Sequence, residues 1–93
     1  MTSDRAAAHI LVKGRVQGVG FRFFTADAAE TYGLKGWVRN LPGENVEAEV
    51  EGSKPAIENF LEELRKGPTV ARVDAIQVDW RPPTGQFTDF EIR

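Results

Sequence analysis

Cysteine is absent from the 93-residue sequence, and histidine occurs once, as His9. The first absence excludes disulfides, thiolate metal sites and a Cys nucleophile. The second leaves no ligand set for a histidine-based metal cluster. No apolar run approaches the roughly 20 residues needed to span a bilayer. The opening residues 1–9 lack the apolar core of a secretory signal, so the sequence reads as a cytoplasmic chain with no membrane partner. Repeats, low-complexity stretches and Ser/Gly/Pro linkers are missing too. At this length a second core would leave each half too small, so residues 1–93 read as one domain. A basic excess is also lacking: 12 Lys and Arg stand against 14 Asp and Glu, net −2. That argues against a general nucleic-acid coat. What is present is apolar area, with six Phe and two Trp, which is enough to argue against disorder. Charge is uneven, net +3 over residues 1–41 and −5 over 42–93. Such a split suits a site for one small anion, and it also arises by chance.

The hydrophobic pattern divides the chain into alternating elements. Residues 9–16 form a β-rich run, broken at Gln17-Gly18-Val19-Gly20. From Phe21 the period turns helical through Phe21, Phe24, Ala28 and Thr31–Tyr32, with Gly33 as the stop. Residues 34–40 read as a second strand and residues 42–45 as a turn. Val46, Ala48 and Val50 then alternate with Glu47, Glu49 and Glu51, a strand with one wet face. A second helix follows, with Ser53 as N-cap, Pro55 in the first turn and Ile57, Phe60, Leu61 and Leu64 at i, i+3, i+4, i+7. Gly67-Pro68 ends it. A fourth strand covers about 70–80, Pro82-Pro83-Thr84-Gly85 interrupts, and 87–92 closes as a short fifth strand. The interruption either joins two strands or kinks one. The order β-α-β-β-α-β predicts an α+β fold: a ferredoxin-like sandwich, mainly antiparallel, with both helices on one face of the sheet.

The stretch Gly14-Arg15-Val16-Gln17-Gly18-Val19-Gly20-Phe21-Arg22 joins the first strand to the first helix. Its spacing is neither G-x-G-x-x-G nor the Walker P-loop. Glycines here let successive N–H groups converge, and the unpaired amides and dipole of the helix start face the same spot. Arg22 opposes that dipole unless an anion lies between them, where a bidentate guanidinium contact is strong. On the residues alone, an anion nest and a plain reversing turn both stand.

Together with Gly36-Trp37-Val38-Arg39-Asn40, this stretch resembles the signature pair of the acylphosphatase family, and the likeness runs to Phe90-Glu91-Ile92-Arg93. The resemblance implies metal-free, cofactor-free hydrolysis of a small-molecule acyl phosphate to a carboxylate and orthophosphate. It implies that Arg22 binds phosphate and that Asn40 positions the water. The backbone from Val16 to Phe21 is then the phosphate cradle, so the binding set is Arg15, Val16, Gln17, Gly18, Val19, Gly20, Phe21 and Arg22. Family members often read Asp-Gly where this sequence has Gly43-Glu44. The length is kept, so a hairpin of another turn type is expected. Two other functions fit the same sandwich. An RNA-recognition module needs an R-G-F-type aromatic strand, which is lacking. An accessory domain resembles the acylphosphatase-like segments of larger maturation enzymes, whereas the short length favours an independent enzyme, expected as a monomer.

The remaining candidates have structural readings. His9 is expected as an ordinary strand residue, and Lys13 as a solvated strand end. Trp37 is expected in core packing rather than on substrate, and Trp80 in core or sheet-edge packing. Phe23 and Phe24 cannot both face the sheet, so one belongs near the site mouth or against the terminal segment. The Glu47, Glu49, Glu51 row reads as the wet side of a strand rather than a metal site.

Overall fold

Alternation along the first strand sets the layers. In the computed structural model, which describes residues 4–93, β1 (Arg5–Arg15) buries Ala8, Ile10 and Val12 on one side. These pair across to Val50, Ala48 and Val46 of β3 (Val46–Ser53), all equally buried. Against this apolar face pack α1 (Phe21–Thr31) and α2 (Lys54–Lys66). The remaining strands are β2 (Lys35–Asn40), β4 (Arg72–Arg81) and β5 (Phe90–Ile92). The sheet order is β4-β1-β3-β2-β5, antiparallel except for the β2–β5 pair. This is the ferredoxin-like arrangement with a short parallel strand added at the β2 edge. Residues 82–89 therefore connect two separate strands, which settles the interruption.

The helices form as their residues dictate. Ser53 Oγ accepts from the Ala56 amide at 3.3 Å, Pro55 sits in the first turn, and Ile57, Phe60, Leu61 and Leu64 are the buried stripe of α2. Phe24 and Tyr32 pack partly buried against the core and Thr31 is exposed, while the fully buried set of α1 is Phe21, Ala28, Ala29 and, in addition to those expected, Thr25. Its hydroxyl donates to the Phe21 carbonyl at 2.8 Å, which lets a polar residue face the core without loss. The Gly33 and Leu34 amides donate to the Glu30 and Ala29 carbonyls, a Schellman stop.

Two expectations change. β1 begins at Arg5, not His9, because Ala6, Ala7 and Ala8 pair with Gly52, Glu51 and Val50. Alanine has weak strand preference, so the pattern concealed them. Glu51 is not on a wet face: it is only 3% exposed. The β4–β5 connection folds over it, and its carboxylate accepts from Thr84 N (3.0 Å), Thr84 Oγ1 (2.6 Å) and Gly85 N (2.9 Å). Among the described residues, no helix is long and apolar enough to cross a membrane.

Candidate active site

The chain leaves β1 through a bulge between Lys13 and Gly14 and then winds through residues 17–20. Gly18 and Gly20 adopt φ +75° and +77°, and a Cβ at either would meet no atom within 4 Å. Glycine is needed there for conformation, not for space. Beneath the loop, Val16 is buried and Val19 packs on the core. Gly20 occupies the N-cap position of α1 without a capping side chain, and no acid lies in the first turn. The first helical hydrogen bond runs from Phe24 N to Gly20 O at 2.9 Å. The amides of Phe21, Arg22 and Phe23 therefore have no acceptor within the helix, and the positive end of the dipole lies with them.

Sheet direction brings Asn40 to this loop. β1 and β2 each run antiparallel to β3, so their C-terminal ends point the same way. The loop leaves the end of β1, and Asn40 ends β2. Asn40 pairs with Val46 on the helix-facing side of the sheet. Gln17 ties the two segments together: its Nε2 donates to the Leu41 carbonyl at 2.6 Å and the Asn45 carbonyl at 2.7 Å. The hairpin itself closes with Leu41 N to Asn45 O at 2.9 Å around Gly43 at φ +89°, so it survives the change from Asp-Gly.

Arg22 and Asn40 line one cleft of about 100 Å³ together with Val16, Gly18, Gly20, Phe21 and Phe23. Arg22 Nη1 donates to the main-chain oxygen of Arg93 at 2.9 Å, and the Arg93 amide donates to Val38 O at 2.8 Å. The β2–β5 pairing thus fixes the acceptor that steers the guanidinium. An Arg has five N–H donors, so others remain for an anion. Of the expected set, Arg15, Gln17 and Val19 do not line the cleft. Arg15 is exposed at the end of β1 opposite Arg72, Gln17 turns to the hairpin, and Val19 turns to the core.

The open side of the sheet holds a separate polar network. Trp37 lies there, outside the core and outside the Arg22–Asn40 cleft. The Arg39 and Arg93 guanidinium carbons lie 5.1 and 5.0 Å from its ring centre. Its strand neighbours Gly36 and Val38 take the core-facing positions, so alternation sends Trp37 to the other side. Trp80, on the edge strand β4, has Lys54 Nζ at 5.1 Å from its ring centre. Glu47 contacts His9 Nε2 and Arg39 Nε, each at 2.6 Å, and Glu49 contacts Arg81 at 2.9 Å. Burial pushes the Glu47 carboxyl up, but the bonds and charges of His9 and Arg39 hold it below the ordinary carboxylate value. Glu51 behaves likewise: burial raises it, and Thr84, Gly85 and the Arg5 charge bring it below. The glutamate row thus serves three separate contacts. Sequence reasoning missed the Gln17 side chain as a tie and Arg93 as the Arg22 acceptor. The second lies 71 positions from its partner, and no local pattern signals it.

A family model described as Acylphosphatase matches residues 8–92. An acylphosphatase of Anaeromyxobacter dehalogenans (strain 2CP-C) is 50% identical over 91 residues, 98% of each chain. The crystal structure of acylphosphatase from Bacillus subtilis superposes with TM-score 0.91 at 35% identity, covering 95% of this chain and 98% of that one. Full-length HypF in its phosphate- and nucleotide-bound form matches with TM-score 0.86 at 34% identity. This chain is covered fully there, yet spans 12% of HypF, so a similar unit also occurs within a longer protein.

Proposed function

Since this chain belongs to the acylphosphatase family and is an acylphosphatase, acting on small-molecule acyl phosphates, we propose that Arg22 and the loop amides hold the phosphoryl group while Asn40 aims the attacking water. One observation carries the reading: Arg22 and Asn40 share a single small cleft at the N-terminus of α1. Phosphoryl transfer asks mainly for positioning and for charge stabilisation on the equatorial oxygens. The amides of residues 16–21, the first-turn amides and the remaining Arg22 donors supply the second. Arg15 contributes through its backbone and the long-range field of its guanidinium rather than through direct side-chain contact.

The Asn40 side-chain amide offers an acceptor and a donor, enough to hold one water in line with the scissile bond. Water oxygen forms a bond to phosphorus as the phosphorus–acyl oxygen bond breaks, and that bond's electron pair leaves with the carboxylate. A substrate phosphate oxygen takes one of the water's protons and the incoming oxygen keeps the other, so the products are carboxylate and dihydrogen phosphate. A carboxylate leaves readily, which makes a general acid dispensable; His9, held by Glu47 on the open side of the sheet, is not in the cleft.

Hydrolysis of benzoyl phosphate by folded wild type, Arg22→Gln and Asn40→Ala tests this. Arg22→Gln is expected to raise KM and lower kcat, whereas Asn40→Ala lowers kcat with little change in KM. Near wild-type kcat in both variants overturns the assignment. The same reading takes the enzyme as a cytoplasmic monomer, and light scattering on the eluting protein should return the mass of one chain.

A further inference from the structure

The cleft between Arg22 and Asn40 has room for a phosphoryl group and an adjoining water, but an acyl phosphate has a second half. Phe23 lines that cleft and also lines an open groove of about 560 Å³ between α1 and the approach to β5. The groove walls include Asp27, Glu30, Lys35, Asp89 and Phe90. Phe23 is 68% exposed, while its neighbours in the helix, Phe21 and Phe24, pack with ring centres 5.8 Å apart. Single exposed apolar residues are common. Phe23 differs in being the wall that cleft and groove share. The groove carries three carboxylates against one ammonium, and Lys35 Nζ is drawn to the Thr88 carbonyl at 3.1 Å.

We propose that this groove is the acyl subsite, with Phe23 as the surface on which an aromatic or alkyl acyl group lies. The acidic wall disfavours acyl groups that carry their own negative charge. The proposal rests on the phosphate reading above, because the cleft fixes where the acyl group begins. An apolar group laid on this exposed ring removes area from water on both sides. A carboxylate on that group would meet Asp27, Glu30 and Asp89 across a solvated gap, a repulsion that salt screens.

The test compares acetyl, benzoyl and para-carboxybenzoyl phosphates in wild type, Phe23→Ala, Phe23→Tyr and Asp27→Asn/Asp89→Asn. In Phe23→Ala the benzoyl-to-acetyl ratio of kcat/KM should fall by about three- to tenfold, mainly through KM. Phe23→Tyr should restore it. In the Asp27→Asn/Asp89→Asn protein the para-carboxybenzoyl-to-benzoyl ratio should rise about threefold at low salt, with the gain shrinking as salt is added. A Phe23→Ala benzoyl-to-acetyl ratio within about twofold of wild type, or a para-carboxybenzoyl ratio unmoved by loss of the two acids, overturns the proposal. Each readout compares substrates bearing the same phosphate. Failure of the Arg22 and Asn40 roles, read from their own variants on benzoyl phosphate, is therefore seen separately.

Discussion

Gln17 divides its work between backbone and side chain. Its backbone lies in the loop beside the cleft, and its amide nitrogen reaches the two carbonyls, Leu41 and Asn45, that frame the hairpin after Asn40. Loss of the side chain takes a donor from two partly buried acceptors, of which Asn45 O keeps the Leu41 amide. Gln17→Ala should therefore lower stability by about 1–2 kcal/mol, read as a shifted urea midpoint at unchanged slope. The catalytic signature should be lopsided as well. The hairpin carrying Asn40 loosens while the proposed backbone cradle stays, so kcat should fall more than KM rises. Equal damage to both would mean that the side chain supports the cradle itself. The glycine spacing marked the loop in the sequence, since few residues other than glycine adopt the positive φ of Gly18 and Gly20. The Gln17 contacts were not legible, because a glutamine in a loop has no pattern that says whether its side chain faces solvent, ligand or a neighbouring hairpin.

At the scale of elements, Glu51 is the hub on which the β4–β5 connection is hung. Its three hydrogen bonds come from residues more than 30 positions away, and they favour the ionised form. Glu47, gripped by His9 and Arg39, is held down in the same way. Both carboxyls sit below the ordinary value of 4.5 in the folded chain, so in acid the unfolded state binds more protons than the folded one. The stability they add is complete above about pH 4.5 and drains away as pH falls through their folded values. Denaturant unfolding from pH 7 to pH 3 should show this loss, and Glu51→Gln should start less stable and depend less on pH. An unchanged acid limb in that variant would remove Glu51 from the account. Close packing makes a second prediction at the bulge. A Cβ on Gly14 would stand 2.1 Å from the Arg72 carbonyl oxygen and 2.9 Å from the Asp74 amide, both backbone atoms that cannot swing aside. Gly14→Ala should cost more than about 1 kcal/mol, measured by the same titration. Period-two alternation correctly put Glu47, Glu49 and Glu51 on the face away from the helices. Alternation names a face but not what later covers it, which is why Glu51 was read as wet.

For the whole molecule, element order carried most of the information. A strand, a glycine-broken turn, a helix and a second strand parallel to the first bring the C-terminal ends of β1 and β2 to the same end of the sheet, which places Arg22 and Asn40 on one side of the molecule. The stripe of α2 was legible because four residues at helical spacing are all buried. The insertion of β5 parallel to β2 was not, since a three-residue strand has too little pattern to choose its neighbour. Yet that insertion places Arg93 against Arg22, so the site draws on both ends of the fold around one continuous core. Anion binding should then report on global stability. A ligand that binds only the folded chain adds RT ln(1 + [L]/Kd), about 1.4 kcal/mol at ten times Kd. For a domain of this size that is a rise in Tm of about 6–11 °C. Inorganic phosphate should raise Tm with the logarithm of its concentration, while chloride at matched ionic strength should not. The rise should vanish in Arg22→Gln whatever that variant's own Tm, and persist in Asn40→Ala, whose side chain is proposed to hold water rather than phosphate. A phosphate shift of wild-type size in Arg22→Gln would mean that the guanidinium is no part of the anion site, even if the variant hydrolyses slowly.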